Sequence, residues 1–424
     1  MHHFDYRNGE LYCEDVAVAA IAEAVGTPFY LYSHATLTRH YQALDRAFDG
    51  LERLICYSAK ANTNMAVLAL FARLGSGLDI VSGGELYRGL KAGFAPSRIV
   101  YSGVGKTAEE IDYALETGIF MLNVESPEEL ALIDQRARQM GVRAPIAVRV
   151  NPDVDPRTHP YISTGLKKNK FGMDRETAMA VYRTARGMEN VAVKGIDCHI
   201  GSQITTAEPF RDALLRLRGL IEELAAEGIP IEVVDVGGGL GITYRDEEPP
   251  EPRAYGRAIR EGLAGIDARI VLEPGRVIVG NAGVLITRAL YRKGGETKDF
   301  IVVDAGMNDL LRPSLYDAFH DVRPVDESLA GTLITADVVG PICETGDFLS
   351  RDHEVPDARR DDLLAVMSAG AYGFSMSSNY CSRRRPAEVM VRGERFEVIR
   401  RRQNYDDLVA GETIPAFLEE NEAS

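Results

Sequence analysis

Between Leu54 and Pro274, short runs rich in β-branched residues alternate with longer amphipathic runs. The strand candidates are LICYSA from Leu54, GLDIV from Gly77, RIVYS from Arg98 and IFMLNV from Ile119. PIAVRVN from Pro145, VKGIDCHI from Val193, IEVVDVG from Ile231 and RIVLEP from Arg269 follow. Helical periodicity fills the gaps. SPEELALIDQRARQMG opens on a Ser126/Glu129 capping box, and EPFRDALLRLRGLIEELAAEG closes on Gly228. Eight strands alternating with helices predict a (β/α)8 TIM-like barrel; a doubly wound open sheet shares the local pattern and is the competing fold.

After Gly283 the texture changes. GVLITRALYRK, DFIVVDAG, LITADVVG, DLLAVMSAG and AEVMVRGERFEVIRRR succeed one another with little helix, which predicts a second, mostly β domain. The N-terminal FDYRNGELYCEDVAV reads as a hairpin turning at Asn8-Gly9 that pairs with this second domain. The expected division is therefore a barrel over 27–283 and a β domain built from 1–26 with 284–424 (α/β class overall). DEEPPEP, Asp246 to Pro252, reads as a solvated loop.

Composition narrows the field little further. A net charge of −15 disfavours nucleic acid or an anionic membrane as the main partner. No run is apolar enough for a membrane span, and the N-terminus lacks a secretory pattern. Five cysteines, at 13, 56, 198, 343 and 381, form no CxxC pair and no metal-ligand spacing. They read as reduced thiols in a cytoplasmic protein without a metal.

The unusual polar residues cluster at the strand ends. CYSAKAN puts Lys60 at the C-terminal end of an apolar strand. Alone it is a lysine that snorkels to solvent; held inside, its amine can do covalent chemistry. Asp79 lies in the second strand, with SGGE (Ser82 to Glu85) after it. Asn151 closes the fifth strand, and His199 closes the sixth and opens HIGSQ. GGGLG (Gly237 to Gly241) follows the seventh, and EPGR (Glu273 to Arg276) follows the eighth. Singly, each has a structural reading: core histidine, helix cap, tight turn. Together they occupy the rim where barrels carry catalysis, and glycines after strands seven and eight are a common phosphate cradle. Lys60, Glu273, His199 and the glycines, with Ser202 nearby, suit a Schiff-base lysine, a ring-nitrogen partner and a phosphate site for pyridoxal 5'-phosphate. A lysine-dependent aldolase with a phosphorylated substrate is the rival.

YSAKAN, HIGSQ, GGG and EPGR, taken in order, resemble the fold-type III pyridoxal-phosphate-dependent decarboxylases, barrels with an appended β domain that are related to alanine racemase. NPDVDPRTHPYISTGLKKNKFGM, MNDLLRPSLYDAFH, GPICETGDFL and SAGAYGFSMSSNY are similar to segments of the members that act on diaminopimelate, and the likeness reaches from the N-terminal hairpin to about Ala410. The resemblance implies conversion of meso-2,6-diaminopimelate to L-lysine and CO2, the last step of bacterial lysine biosynthesis. It implies that Lys60 carries the cofactor, His199 stacks on its ring and Glu273 faces the ring nitrogen, with Asp79 also at the cofactor. Ser202, Gly237, Gly238, Gly239, Gly275 and Arg276 would surround the phosphate, with Tyr372 beside it. Arg276, Arg312 and Tyr316 would grip the distal carboxylate of the substrate, Glu344 its distal ammonium, and Tyr372 would lie near both.

Cys343 is implied as the proton donor; an ordinary thiol is mostly protonated near neutrality and can act as a general acid. Alone, Cys343 would read as a structural cysteine and Arg312 as a surface ion pair. The resemblance also implies a head-to-tail homodimer with shared active sites. Cys381 stands where the family usually has asparagine, Thr345 where serine is common, and the run after Cys381 is unusually basic. The remaining alternatives are a relative acting on ornithine, arginine or a carrier-tethered amino acid, and a non-catalytic pyridoxal-phosphate carrier. The β domain with its Cys-Glu motif argues against the carrier. A racemase would need a second base facing Lys60, and none is evident.

Overall fold

The protein is described by a computed structural model that covers residues 2–154 and 170–418. Most of the segment Asn151 to Met173 quoted above lies outside the described residues.

Eight parallel strands form a closed barrel: Arg53–Ser58, Gly77–Ile80, Ile99–Tyr101, Met121–Val124, Ala144–Arg149, Val191–Asp197, Val233–Asp235 and Arg269–Leu272. The eighth strand pairs with the first, Leu272 opposite Ile55, so the open-sheet alternative is excluded. Period-two alternation explains how one barrel carries both a core and a site. Leu54, Cys56, Val100, Met121, Ala147, Val233 and Val271 form one buried apolar cluster. Two residues further along the same strands, on the same face, stand Ser58, Ser102, Asn123, Arg149, Asp235 and Glu273, all buried. The interior thus turns from apolar to polar in one step along six of the eight strands, toward the C-terminal rim.

The helices begin where side chains can cap them. Ser82 accepts from Glu85 N, and Thr107 and Glu110 form a reciprocal box. At Ser126 only half of the expected box forms. Ser126 accepts from Glu129 N, but the Glu129 carboxylate takes Glu125 N at 2.9 Å and Lys106 Nζ at 2.7 Å. Lys106 is buried, and neutralising its charge outweighs a second cap bond.

Of the other strands, the first three form a small N-terminal sheet and nine form a larger one. Its main path runs Phe348–Pro356, Leu333–Val339, Asp299–Val303, Gly283–Gly294, Phe29–Ser33, Ala387–Arg392 and Arg395–Arg400. Phe29–Ser33 falls on the barrel side of the division expected at residue 27, yet it is hydrogen-bonded into this sheet. It pairs antiparallel with Gly283–Ile286 and parallel with Ala387–Val391. All five of its residues are buried, and a central sheet position covers both faces. The N-terminal hairpin turns at Asn8 and Gly9, both with positive φ (51° and 86°), as a type I′ turn requires. It meets the larger sheet through Leu11 N to Val325 O, 2.8 Å, and packs Phe4, Leu11 and Cys13 against Phe29, Leu31 and Val389.

Barrel and sheet are stitched together beside Lys60. Tyr372 N donates to Ala61 O at 2.8 Å, and Asn62 Nδ2 donates to Gly370 O at 3.3 Å. The fully buried Glu388 accepts from Tyr32 Oη (2.9 Å), Asn64 Nδ2 (2.8 Å) and Arg400 Nε (2.5 Å). Asn64 in turn caps the helix Met65–Arg73. Glu388→Ala leaves three buried or half-buried donors without their acceptor. It should lower unfolding free energy by on the order of 3 kcal/mol, read as a fall in Tm and in denaturant midpoint; an unchanged Tm would remove Glu388 from the interface.

Candidate active site

Lys60 sits on a single 3-10 turn, Ala59–Ala61, directly after the first barrel strand. Its Nζ donates to Asp79 Oδ2 at 2.6 Å and to Ser58 Oγ at 2.8 Å, and Ser58 Oγ also bonds Asp79. Asp79 is fully buried, whereas the lysine side chain keeps 38% of its surface open to the cavity above. Burial works against the ammonium, but Asp79 and then Glu273 outweigh it and hold the Lys60 pKa above its usual value. Asp79 is thus both counter-ion and tether, turning the amine along the rim.

Glu273 is buried and accepts from Ser102 Oγ at 2.8 Å. Asn123 Nδ2 donates to Ser102 Oγ (3.1 Å) and to Asp235 Oδ2 (3.2 Å), linking the two carboxyl groups. Burial, then the neighbouring Asp235, Asp79 and Asp197, push the Glu273 pKa well above the carboxylate range, with Lys60 opposing. A cation placed against Glu273 would therefore be welcome. His199 shows the reverse: burial, then Arg149 and Lys60, keep its imidazole neutral. Gly238 N donates to its Nδ1 at 3.0 Å, so the ring proton lies on Nε2.

The glycines are needed for space. A Cβ on Gly238 would stand 2.1 Å from Glu273 O, and one on Gly237 would stand 2.5 Å from His199 Nδ1. Gly237 and Gly239 also have positive φ, 65° and 110°. Gly275 fits against Ala61 and Ser58, each 3.1 Å from where its Cβ would be. These backbones line a cavity of about 500 Å³ together with Lys60, His199, Ser202 and Glu273.

At the far end of the cavity lie two buried arginines. Arg276 donates to Tyr244 Oη (2.7 Å) and Ser202 Oγ (3.0 Å), and its Nε has no partner among the described residues. Arg312 bonds His320, and Tyr316 and Tyr372 complete the wall. Neither arginine forms an ion pair with a described carboxylate. Tyr372 holds a left-handed backbone (φ 57°), uncommon for an aromatic residue, and its ring lies 5.0 Å from the Arg276 guanidinium carbon.

The structure gathers Lys60, His199, Ser202, Gly237 to Gly239, Glu273, Gly275, Arg276, Arg312, Tyr316 and Tyr372 around this one cavity, with Asp79 beneath Lys60. It does not bring Cys343 or Glu344 there. Both are exposed, on a loop fastened by Asp347, which accepts from Met307 N and Ile342 N at 2.6 Å each. Glu344 accepts from Tyr380 Oη at 2.7 Å. Sequence reasoning missed Ser58, Ser102 and Asn123, although their inward period on the strands was available. It also missed Tyr244 and His320, which carry no local signal. Part of the expected solvated loop serves the site, since Glu247 lines the cavity and accepts from Tyr244 N.

A rim lysine paired with a buried aspartate, a raised carboxyl, a neutral histidine wall and a double glycine cradle define a barrel enzyme of the pyridoxal-dependent class. The family profile described as "Pyridoxal-dependent decarboxylase, pyridoxal binding domain" matches residues 34–280, and the chain belongs to this family. It is 54% identical over 414 residues to the diaminopimelate decarboxylase of Pseudomonas aeruginosa, covering 98% of this chain and 99% of that relative. The diaminopimelate decarboxylase of M. jannaschii in co-complex with L-lysine superposes with a TM-score of 0.93 at 38% identity, covering 98% of both chains. That of Helicobacter pylori, complexed with L-lysine, gives 0.90 at 43% identity over 92% of this chain and 98% of that one.

Proposed function

We propose that the chain decarboxylates meso-2,6-diaminopimelate to L-lysine with pyridoxal 5'-phosphate. The carrying observation is the pair of buried arginines, Arg276 and Arg312, which face Lys60's cavity without a described carboxylate partner. Buried cations need an anion, and an amino acid whose distal end carries a carboxylate supplies it. The relatives' names and the two lysine complexes support the same substrate and product.

The residues fit the cofactor. When bound, pyridoxal phosphate offers an aldehyde to an amine and a protonated ring that accepts the electrons left at Cα as CO2 departs. Lys60 supplies the amine that holds it, and Asp79 aims that amine. The glycine backbones, Gly275, Ser202 and Arg276 surround the phosphate, with the open Nε of Arg276 as a donor. His199, neutral and flat, covers one ring face. Glu273, whose pKa is raised by burial and by the neighbouring acids, partners the ring nitrogen. Arg312 and Tyr316 hold the distal carboxylate, with Arg276 and Tyr372 between it and the phosphate.

A proton must return to Cα, and the donor proposed is the Cys343 thiol. Since Cys343 and Glu344 lie outside their own chain's cavity, we assign them to the site of a second copy in a two-fold homodimer, where Glu344 meets the distal ammonium.

Purified protein offered meso-diaminopimelate, its stereoisomers, ornithine, arginine and lysine should release CO2 fastest from the meso isomer. Faster turnover of ornithine or lysine would replace the substrate.

Borohydride reduction of the cofactor-loaded enzyme should attach the cofactor to Lys60, and Lys60→Ala should lose both this label and turnover. Mass spectrometry that finds the label on another lysine rules the assignment out.

Lys60→Ala and Cys343→Ala, each nearly inactive alone, should regain roughly a quarter of wild-type sites when refolded together. Half of the dimers are then mixed, and each mixed dimer has one intact site. No recovery despite demonstrated subunit exchange would return Cys343 to a role within its own chain.

A further inference from the structure

Arg312 is buried, yet its hydrogen-bond partner is a histidine and not a carboxylate: Nη1 lies 2.9 Å from His320 Nε2. A guanidinium nitrogen can only donate, so His320 Nε2 accepts and the imidazole proton lies on Nδ1. That nitrogen donates to Met367 O at 2.8 Å. Met367 directly follows the strand Leu363–Val366, which pairs on both sides, and Met367 N is itself bonded to Asp321 O at 2.8 Å. The histidine is 1% exposed, so its ring has nowhere to turn. Tyr244 completes the mount. Its ring lies 4.6 Å from the Arg312 guanidinium carbon, meets His320 edge-on at 5.4 Å, and its hydroxyl takes Arg276. One aromatic residue thus stands between two like charges.

We infer that His320 is a positioning residue for substrate selection: anchored on Met367 O, it accepts from Arg312 and aims the remaining guanidinium donors at the distal carboxylate. The inference rests on the proposed reading of Arg312 as the partner of that carboxylate. An aspartate or glutamate in place of His320 would orient Arg312 equally well, but it would neutralise the guanidinium and compete with the substrate. A neutral acceptor orients the fork and leaves its charge for the ligand. Burial, then Arg312, push the His320 pKa down to about 3, while the Met367 carbonyl opposes, so the ring stays an acceptor at working pH.

Two amides separate this role from packing. In His320→Gln the amide oxygen reaches the place of Nε2 and can still accept from Arg312. In His320→Asn the amide reaches only the place of Nδ1, keeping Met367 O and losing Arg312. With cofactor-loaded enzyme, the Asn variant should raise KM for meso-diaminopimelate about tenfold, with kcat and cofactor absorbance within about twofold of wild type. The Gln variant should stay within about threefold in KM. If the Asn variant does not fold, His320→Leu, of similar volume and without an acceptor, carries the same expectation. Wild-type KM in the Asn or Leu variant overturns the inference, as does equal impairment of the Gln and Asn or Leu variants. Arg312→Ala is the control. If it leaves KM unchanged, the carboxylate grip itself fails. If it raises KM while His320→Asn or His320→Leu does not, the assignment of His320 alone falls.

Discussion

The closure of the barrel is the constraint on which the site depends. Leu272 pairs with Ile55, and Ser58 N then takes Pro274 O at 2.9 Å, so the loop after the last strand lies against the turn after the first. Lys60 is more than two hundred residues from Glu273 and Gly275 in sequence, and they become neighbours only through this register. A one-residue slip would exchange inward and outward faces along the strand and put Glu273 and Ser58 outside. The register in which the last strand closes on the first therefore fixes the electrostatics at the rim.

Those electrostatics are divided between two ends. Around Lys60 the acids exceed the bases: Asp79, Asp197, Asp235 and Glu273 share a small volume with Lys60 and Arg149. Burial, then the neighbouring acids, raise the carboxyl pKa values at Asp197 and Glu273, and Asp79 and Glu273 hold the Lys60 ammonium against its burial. Around Arg276 and Arg312, the side chains that hydrogen-bond the guanidinium groups among the described residues are a tyrosine, a serine and a histidine. The first end can hold a cationic ring and an amine; the second can hold anions. On the proposed reading, the cofactor ring and the reacting amine would lie at the first end, and the phosphate and distal carboxylate at the second.

Much of this was legible in the chain. Barrel strands announce themselves by β-branched runs that alternate with helical stretches, and the rim by polar residues at their ends, because the strand–helix alternation is a local rule repeated eight times. Lys60 and the GGG turn were found this way. Phe29–Ser33 was not, since an all-buried strand has no period and its partners are Gly283–Ile286 and Ala387–Val391, far along the chain. Tyr244 and His320 escaped for a related reason. Their importance lies in which arginine they touch, and only tertiary packing decides that. Ser126 shows the limit of even a strong motif: the buried Lys106 redirected Glu129 away from its box.

The placement of Phe29–Ser33 also bears on how the chain is made. The strand leaves the ribosome before any barrel residue, but its antiparallel neighbour begins only at Gly283 and its parallel neighbour only at Ala387. At about 5–20 residues per second, the wait for Gly283 lasts on the order of ten to fifty seconds. Through that interval FYLYS has neither of its sheet partners, while all eight barrel strands are made downstream of it. The sheet domain is thus begun first and finished last, with the barrel inserted between its strands. During synthesis, this strand is therefore open to aggregation and to chaperones for as long as its partners are missing, and it is remote in sequence from most of the groups that perform chemistry.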